Sequence, residues 1–327
     1  MTAKHIHHFP TQTIRFQAIE RPPELQGSVT ALDTDGLGRI WIGVIGKEYA
    51  AIGAYDGNSW QHWQLNAGDI TQQFVLFQNT VIRQGRTLHM LANDAWVPCG
   101  PPDPDDVIVS LCNQHDRALW AGTILNGLWF SPDTTSWTPI PQPSPIENAL
   151  VHALACDPTG AILAAEVGTG LWGPHLIWRW ADDSWQPLEP PPNRNFRCIS
   201  TIIAPDSGDI WAFSFEGGLW HWDGMSWTHV NQPSQKANRI PSRGLSEFAL
   251  AEAQDRVFVM SAQYGLLTRR EGSWVRITSP DEVCSANERF YLHDGICGRI
   301  HTDERRLWIA GSTTTLHWAN LEQFDQP

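Results

Sequence analysis

The sequence predicts an all-β chain: a seven-bladed β-propeller of four-stranded antiparallel blades, its ring closed by the N-terminal strand. Three observations predict it. The 327 residues include 18 Trp, 26 Gly and 23 Pro, a mixture that suits short strands, tight turns and large apolar plugs better than long helices. A short turn followed by tryptophan recurs as DGNSW, NDAW, DTTSW, ADDSW, DGMSW and EGSW, which sets Trp60, Trp96, Trp137, Trp185, Trp227 and Trp274 between 36 and 48 residues apart, the period of a blade. A second landmark, a polar turn leading into an apolar strand with a bulky residue, occurs seven times, at Trp41, Leu88, Trp120, Leu163, Trp211, Phe258 and Trp308.

Between the two landmarks lies a third strand, visible as NGLWF, TGLWG, GGLWHW and YGLLTRR. Each unit therefore reads as strand A, an Asp/Gly turn, strand B, a Gly-containing loop, strand C, a DGxS-type turn, and strand D ending near the Trp. One such sheet cannot hide both faces, so the sheets must bury each other's Trp, Leu and Phe by standing face to face around an axis. The seventh blade lacks a strand D of its own. Phe16, in QTIRFQAI, precedes Val29 of the first strand A by 13 residues and fits as the closing strand, in preference to Phe324 in LEQFDQP. Residues 1–10 are expected to fray. The Pro-rich stretches at 101–106, 139–148 and 189–195 fall between blades and read as loops inside a single domain of residues 1–327.

With the motifs D-x-x-G-x-(I/L)-W-(I/A)-G, N-G-L-W or G-G-L-W, and D-G-x-S-W in view, the repeats resemble those of the two-component regulator propeller family, most clearly over residues 29–64, 107–140, 196–230 and 296–318. The resemblance implies a propeller of the kind that forms the extracytoplasmic ligand-sensing half of a hybrid sensor kinase, often for glycan fragments. No kinase accompanies the propeller in this sequence, so what carries over is a stand-alone binding platform.

Charge and hydropathy exclude several function classes. The formal net charge of -13 repels phosphate backbones, and no basic run or basic amphipathic stretch suits an anionic membrane, so neither nucleic acid nor membrane is an expected partner. The N-terminus, MTAKHIHHFPTQTIRF, shows no signal-peptide core, which gives a cytoplasmic expectation. Cys99, Cys112, Cys156, Cys198, Cys284 and Cys297 show no zinc spacing and read as free, mostly buried thiols.

Function in a propeller concentrates in the B–C and D–A loops at one end of the blades. Three positions beyond each strand-B landmark stand Val44, Leu91, Thr123, Glu166, Ser214, Ser261 and Gly311; Glu166 is the one carboxylate, able to accept ligand hydroxyls or act as a general base. Blade one reads as an extended loop bearing Lys47, Glu48 and Tyr49, and Glu216 and Tyr264 occupy related places in blades five and six. These six residues form the expected ligand-binding set, an acidic and aromatic mouth. His152 and His175 join Glu166 as candidate catalytic groups, but no HxH, HExxH or GxSxG motif gathers them and no metal ligands are assigned. Trp63, Trp172 and Trp178 lie off the landmarks and are the surface-aromatic candidates.

Three functions follow. The first is binding of a small polar ligand or glycan at the mouth. The second is a lyase or hydrolase using His and Glu there with a divalent ion. The third is a protein-interaction platform served by the Pro-rich loops.

Overall fold

The computed structural model describes residues 10–66, 69–100, 106–141, 150–167, 175–189, 199–204, 208–214, 218–229, 248–253, 256–261, 265–270, 273–278, 299–310 and 315–325. The chain divides into two compact units, residues 22–230 and residues 1–21 with 231–327. Together they supply seven antiparallel blades, the fold class of an all-β seven-bladed propeller.

The larger unit holds five blades, each a sheet of four sequential strands. They are β3–β6 (Ser28–Thr34, Ile40–Ile45, Ala50–Tyr55, Trp60–Leu65), β7–β10 (Gln73–Phe77, Thr80–Gln84, Leu88–Ala92, Ala95–Pro98), and β11–β14 (Ile108–Asn113, Leu119–Thr123, Leu128–Ser131, Thr138–Ile140). Two more complete the unit, β15–β18 (Leu150–Cys156, Ile162–Val167, His175–Ala181, Ser184–Leu188) and β19–β22 (Ile199–Ile203, Ile210–Ser214, Gly218–Trp222, Trp227–His229).

The smaller unit holds the last two blades, β23–β26 (Phe248–Ala253, Arg256–Ser261, Gly265–Arg270, Ser273–Thr278) and β27–β29 (Arg299–Thr302, Arg306–Ala310, Thr315–Asn320). The N-terminus completes both. Strand β2 (Gln17–Glu20) pairs antiparallel with β29 as the fourth strand of the seventh blade, as the sequence predicts. Strand β1 (Thr11–Thr13) runs parallel to β26, an unforeseen fifth strand on the sixth. Phe16 and Phe324 are both buried in this unit's core, so the rival aromatics serve together.

The strand-B landmark has a physical basis in the preceding turn. The Asp35 carboxylate accepts the backbone N–H groups of Leu37 and Arg39, and its second oxygen accepts the Trp41 indole N–H at 2.8 Å and the Arg39 guanidinium at 2.7 Å. Asp303 repeats the device with Arg305, Arg306 and Trp308, while Gln114 takes the indole of Trp120. Burial raises the Asp35 pKa, yet the Trp41 and Arg39 bonds outweigh it and hold the carboxyl below its ordinary value.

In the DGxS turns the Asp56 and Asp223 carboxylates accept the N–H groups two and three residues on, and Gly57 and Gly224 take the left-handed φ of 100° and 93° that the turn requires. Two readings need correction. The turn tryptophan opens strand D rather than ending it, as Trp60 of β6 and Trp227 of β22 show. In blade two, Leu88 lies on the third strand, not the second; strand B is Thr80–Gln84, reached through a tight Gln78–Asn79 hairpin with φ of 48° and 62°. Leu91 accordingly is not the equivalent of Glu166.

Candidate functional site

The inner strands of the larger unit lie side by side and begin at one end of their blades, the head end. Buried side-chain bonds lace these starts together. The Thr30 hydroxyl donates to the Thr71 carbonyl, the Gln84 amide to Ile108 at 3.2 Å, and the Ser110 hydroxyl to Val151 at 3.0 Å. Four of the five blades also carry a bulge at the second or third residue of the inner strand, leaving Thr30, Val109, His152 and Ser200 out of register with strand B. A bulged residue pairs with nothing across the ladder and re-aims its side chain, which is why bulges border functional sites. His152 is the titratable one.

Blade four brings the three candidate catalytic residues to one end of one sheet. Val151, next to His152, pairs with Glu166, and Val167, next to Glu166, pairs with His175. The side chains of Glu166 and His175 lie outside the described residues. His152 is half-buried, and its buried Nδ1 has no hydrogen-bond partner beyond its own backbone. Burial pushes its pKa below the ordinary 6.5, so the neutral ring is the resident form.

Because the folded pKa is depressed, the unfolded chain binds the proton first, and His152 destabilises the fold as pH falls through 6.5 toward the folded value. His152→Gln will therefore flatten the fall in melting temperature between pH 7 and pH 5 relative to the native chain. Parallel melting curves for the two would contradict this burial effect.

Beside blade four, the head end holds polar groups with unmet capacity. Among the described residues, Thr71 Oγ1, Gln84 Oε1 and Arg83 Nε are buried without partners, beside the His152 Nδ1 that has only its own backbone. Arg83 is clamped by a forked ion pair to Asp69 (Nη1–Oδ1 3.0 Å, Nη2–Oδ2 2.7 Å) and its guanidinium lies 5.8 Å from the Trp96 ring centre. The Asp106 carboxylate accepts the N–H groups of Leu125 and Asn126, fixing the β12–β13 hairpin with Ile124 and Leu125 exposed. The sequence reading missed Asp69, Arg83 and Gln84. A usable signal existed: an arginine inside the apolar strand TVIRQ is tolerated only with a buried partner.

The blade-one residues behave differently. Lys47 and Glu48 are exposed at the tip of the β4–β5 hairpin, closed by the Gly46 N–H on the Tyr49 carbonyl, and its four connecting residues match residues 124–127 of blade three. The expected insertion is absent; the strands are simply longer. The Tyr49 hydroxyl donates to the Gln26 carbonyl and its ring covers Gly46, where a Cβ would collide with it. This hairpin tip lies at the end of blade one where the inner strand begins, since Ser28 pairs with Ile45.

Glu216 and Tyr264 lie outside the described residues, as do Trp172, residues 1–9 and the cysteines at 198, 284 and 297. Trp63 is not a surface platform: it stacks on Trp41 at 5.4 Å and donates its indole N–H to the Asp94 carbonyl. Cys99, Cys112 and Cys156 are free thiols, as read. No group of three or more His, Cys, Asp or Glu suited to a metal ion occurs among the described residues, and no helix among them is long and apolar enough to cross a membrane.

No family model and no curated protein matches the sequence. Solved structures do resemble the fold. A catalytically inactive virginiamycin B lyase from Staphylococcus aureus with quinupristin superposes with a TM-score of 0.70 at 10% identity, covering 94% of this chain and all of that one. YCF48 bound to D1 peptide gives 0.66 at 16% identity, covering 98% and 100%. The extracellular domain of a putative one component system from B. thetaiotaomicron gives 0.65 at 14% identity, covering 93% of this chain and 40% of that one. At these identities the likeness establishes the fold.

Proposed function

We propose that the chain is a binding propeller for a small, neutral, hydroxyl-rich ligand, a glycan fragment or polyol, taken up at the head end of blades two to four. The observation that supports this reading is the set of buried polar atoms with unmet capacity there: the Thr71 hydroxyl, the Gln84 amide oxygen and the His152 imidazole, which has no partner beyond its own backbone. A buried polar atom left unsatisfied costs about 1–3 kcal/mol, so a ligand whose hydroxyls both donate and accept gains by filling such positions. The net charge of -13 favours neutral over anionic ligands. The repeat motifs, which resemble sensor propellers that take glycan fragments, support the same ligand class.

A thermal-shift panel of neutral sugars and polyols tests it. A true ligand at a hundred times its Kd adds about 2.7 kcal/mol to stability. His152→Ala and Thr71→Val are expected to abolish the gain while leaving the unliganded chain folded. A panel with no stabilising member removes the reading.

A second reading rests on blade four alone. A neutral imidazole at a bulge, one register step from Glu166, supports general-base chemistry of the lyase or hydrolase type. Quinupristin, the compound present with the similar lyase, is the convenient first substrate; turnover lost in His152→Ala would place catalysis ahead of simple binding.

A further inference from the structure

Away from the head end, where the inner strands of blades three and four finish, two thiols meet across the interblade layer. Gln114 and Asp157 hold equivalent turn positions, since their N–H groups donate to Ala118 and Ala161 respectively, both at 2.8 Å. Cys156 immediately precedes its turn residue, whereas Cys112 stands two places before its own. This offset of one matters because successive strand residues face opposite sides of a sheet. It turns the two side chains toward each other from the two sides of one core cluster, with Cys112 inside it and Cys156 at its margin.

Each sulfur lies near the carbonyl of the residue that follows it, Cys112 Sγ 3.6 Å from Asn113 and Cys156 Sγ 3.4 Å from Asp157, and the neighbouring thiols act on each other, which holds Cys156 below the ordinary thiol value and Cys112 above it. The pair is unequal in access as well: Cys112 is buried and Cys156 partly exposed. His115 stands beside Cys156 and is fixed by its Nε2, 2.9 Å from the Asp157 carbonyl; a carbonyl can only accept, so Nε2 carries the proton.

We propose that Cys156 and Cys112 form a peroxide-responsive dithiol, with Cys156 attacking and Cys112 resolving, that closes into a disulfide joining the inner strands β11 and β15. In the first step the Cys156 thiolate attacks one oxygen of a hydroperoxide and the O–O bond breaks. The departing alkoxide or hydroxide leaves as alcohol or water after taking up a proton, and Cys156 becomes a sulfenic acid. In the second step the Cys112 sulfur attacks the sulfenic sulfur; the S–S bond forms, and the released hydroxide takes the Cys112 proton to leave as water. The two thiols lose two electrons and the hydroperoxide gains them. An external dithiol reverses the reaction by exchange.

The test uses the full chain, treated with hydrogen peroxide, alkylated and digested. The expected product is a single linked peptide pair containing Cys112 and Cys156, lighter by two hydrogens than the reduced pair and restored to two alkylatable thiols by dithiothreitol. In Cys112→Ser, dimedone will trap Cys156 as the sulfenic acid, and in His115→Gln the pH midpoint for Cys156 alkylation will move upward. Both thiols remaining alkylatable after peroxide, Cys156 passing to sulfinic acid with Cys112 untouched, or pairing of either with another cysteine would overturn the proposal.

Discussion

Trp308→Ala will destabilise the smaller unit by about 3–5 kcal/mol, the cost of emptying a large aromatic site in a packed core. Trp308 is 2% exposed on the second strand of the seventh blade, and its indole N–H is held by Asp303 at 2.8 Å. Arg306 lies 5.5 Å from its ring centre and 4.7 Å from that of Trp318, so truncation also strips one face of the guanidinium. Chemical denaturation checks the figure, provided the unit unfolds in one step. A loss below about 1 kcal/mol would mean that the landmark tryptophans are not blade plugs.

Asp69→Ala will cost about 3 kcal/mol in the larger unit, for a different reason. Arg83 is only 2% exposed and retains its charge, so removing its forked partner leaves a buried cation unpaired. The 29% exposure of the Asp69 side chain lets water reach the vacated place, which sets the expectation at the lower edge of the usual 3–5 kcal/mol for breaking a buried pair. The double variant Asp69→Leu with Arg83→Met will recover most of the loss, because two apolar groups leave no charge to compensate. A single variant as stable as the native chain would show that solvent already screens the pair.

The parts of the fold that could be read in advance are those set by local chemistry. A turn aspartate that caps its own backbone and accepts the next indole repeats the same residues wherever it is used, so DTDGLGRIW and DERRLW announce the same turn from sequence. Blade two escaped because its A–B hairpin uses Gln78 and Asn79 with positive φ and no such aspartate, leaving strand TVIRQ without a marker and shifting the landmark by one strand. The closing strand was legible because a buried Phe16 needs a place in the core; the parallel β1 was not, since three polar residues on a sheet edge carry no apolar signal.

The site was legible in part. Glu166 and His152 stand out as departures from the repeat, and register brings them together with His175. The bulge that aims His152 depends on the partner strand and has no sequence mark of its own. Asp69 and Arg83, Gln84 and Ile108, and Cys112 and Cys156 are pairings between distant segments, which a single sequence does not display. Tyr49 carries a contact of the same long-range kind, its hydroxyl on the Gln26 carbonyl, that the loop sequence does not display.

Hydrogen-exchange footprinting of the full chain with and without the strongest stabilising sugar tests the proposed head-end binding surface most directly. Slower exchange is expected in residues 69–73, 83–85, 108–111 and 150–153, where the inner strands begin, with none in the turns at 35–39, 114–118 and 157–161. Protection confined to those turns, or spread evenly over every blade, would contradict a ligand site at the head end.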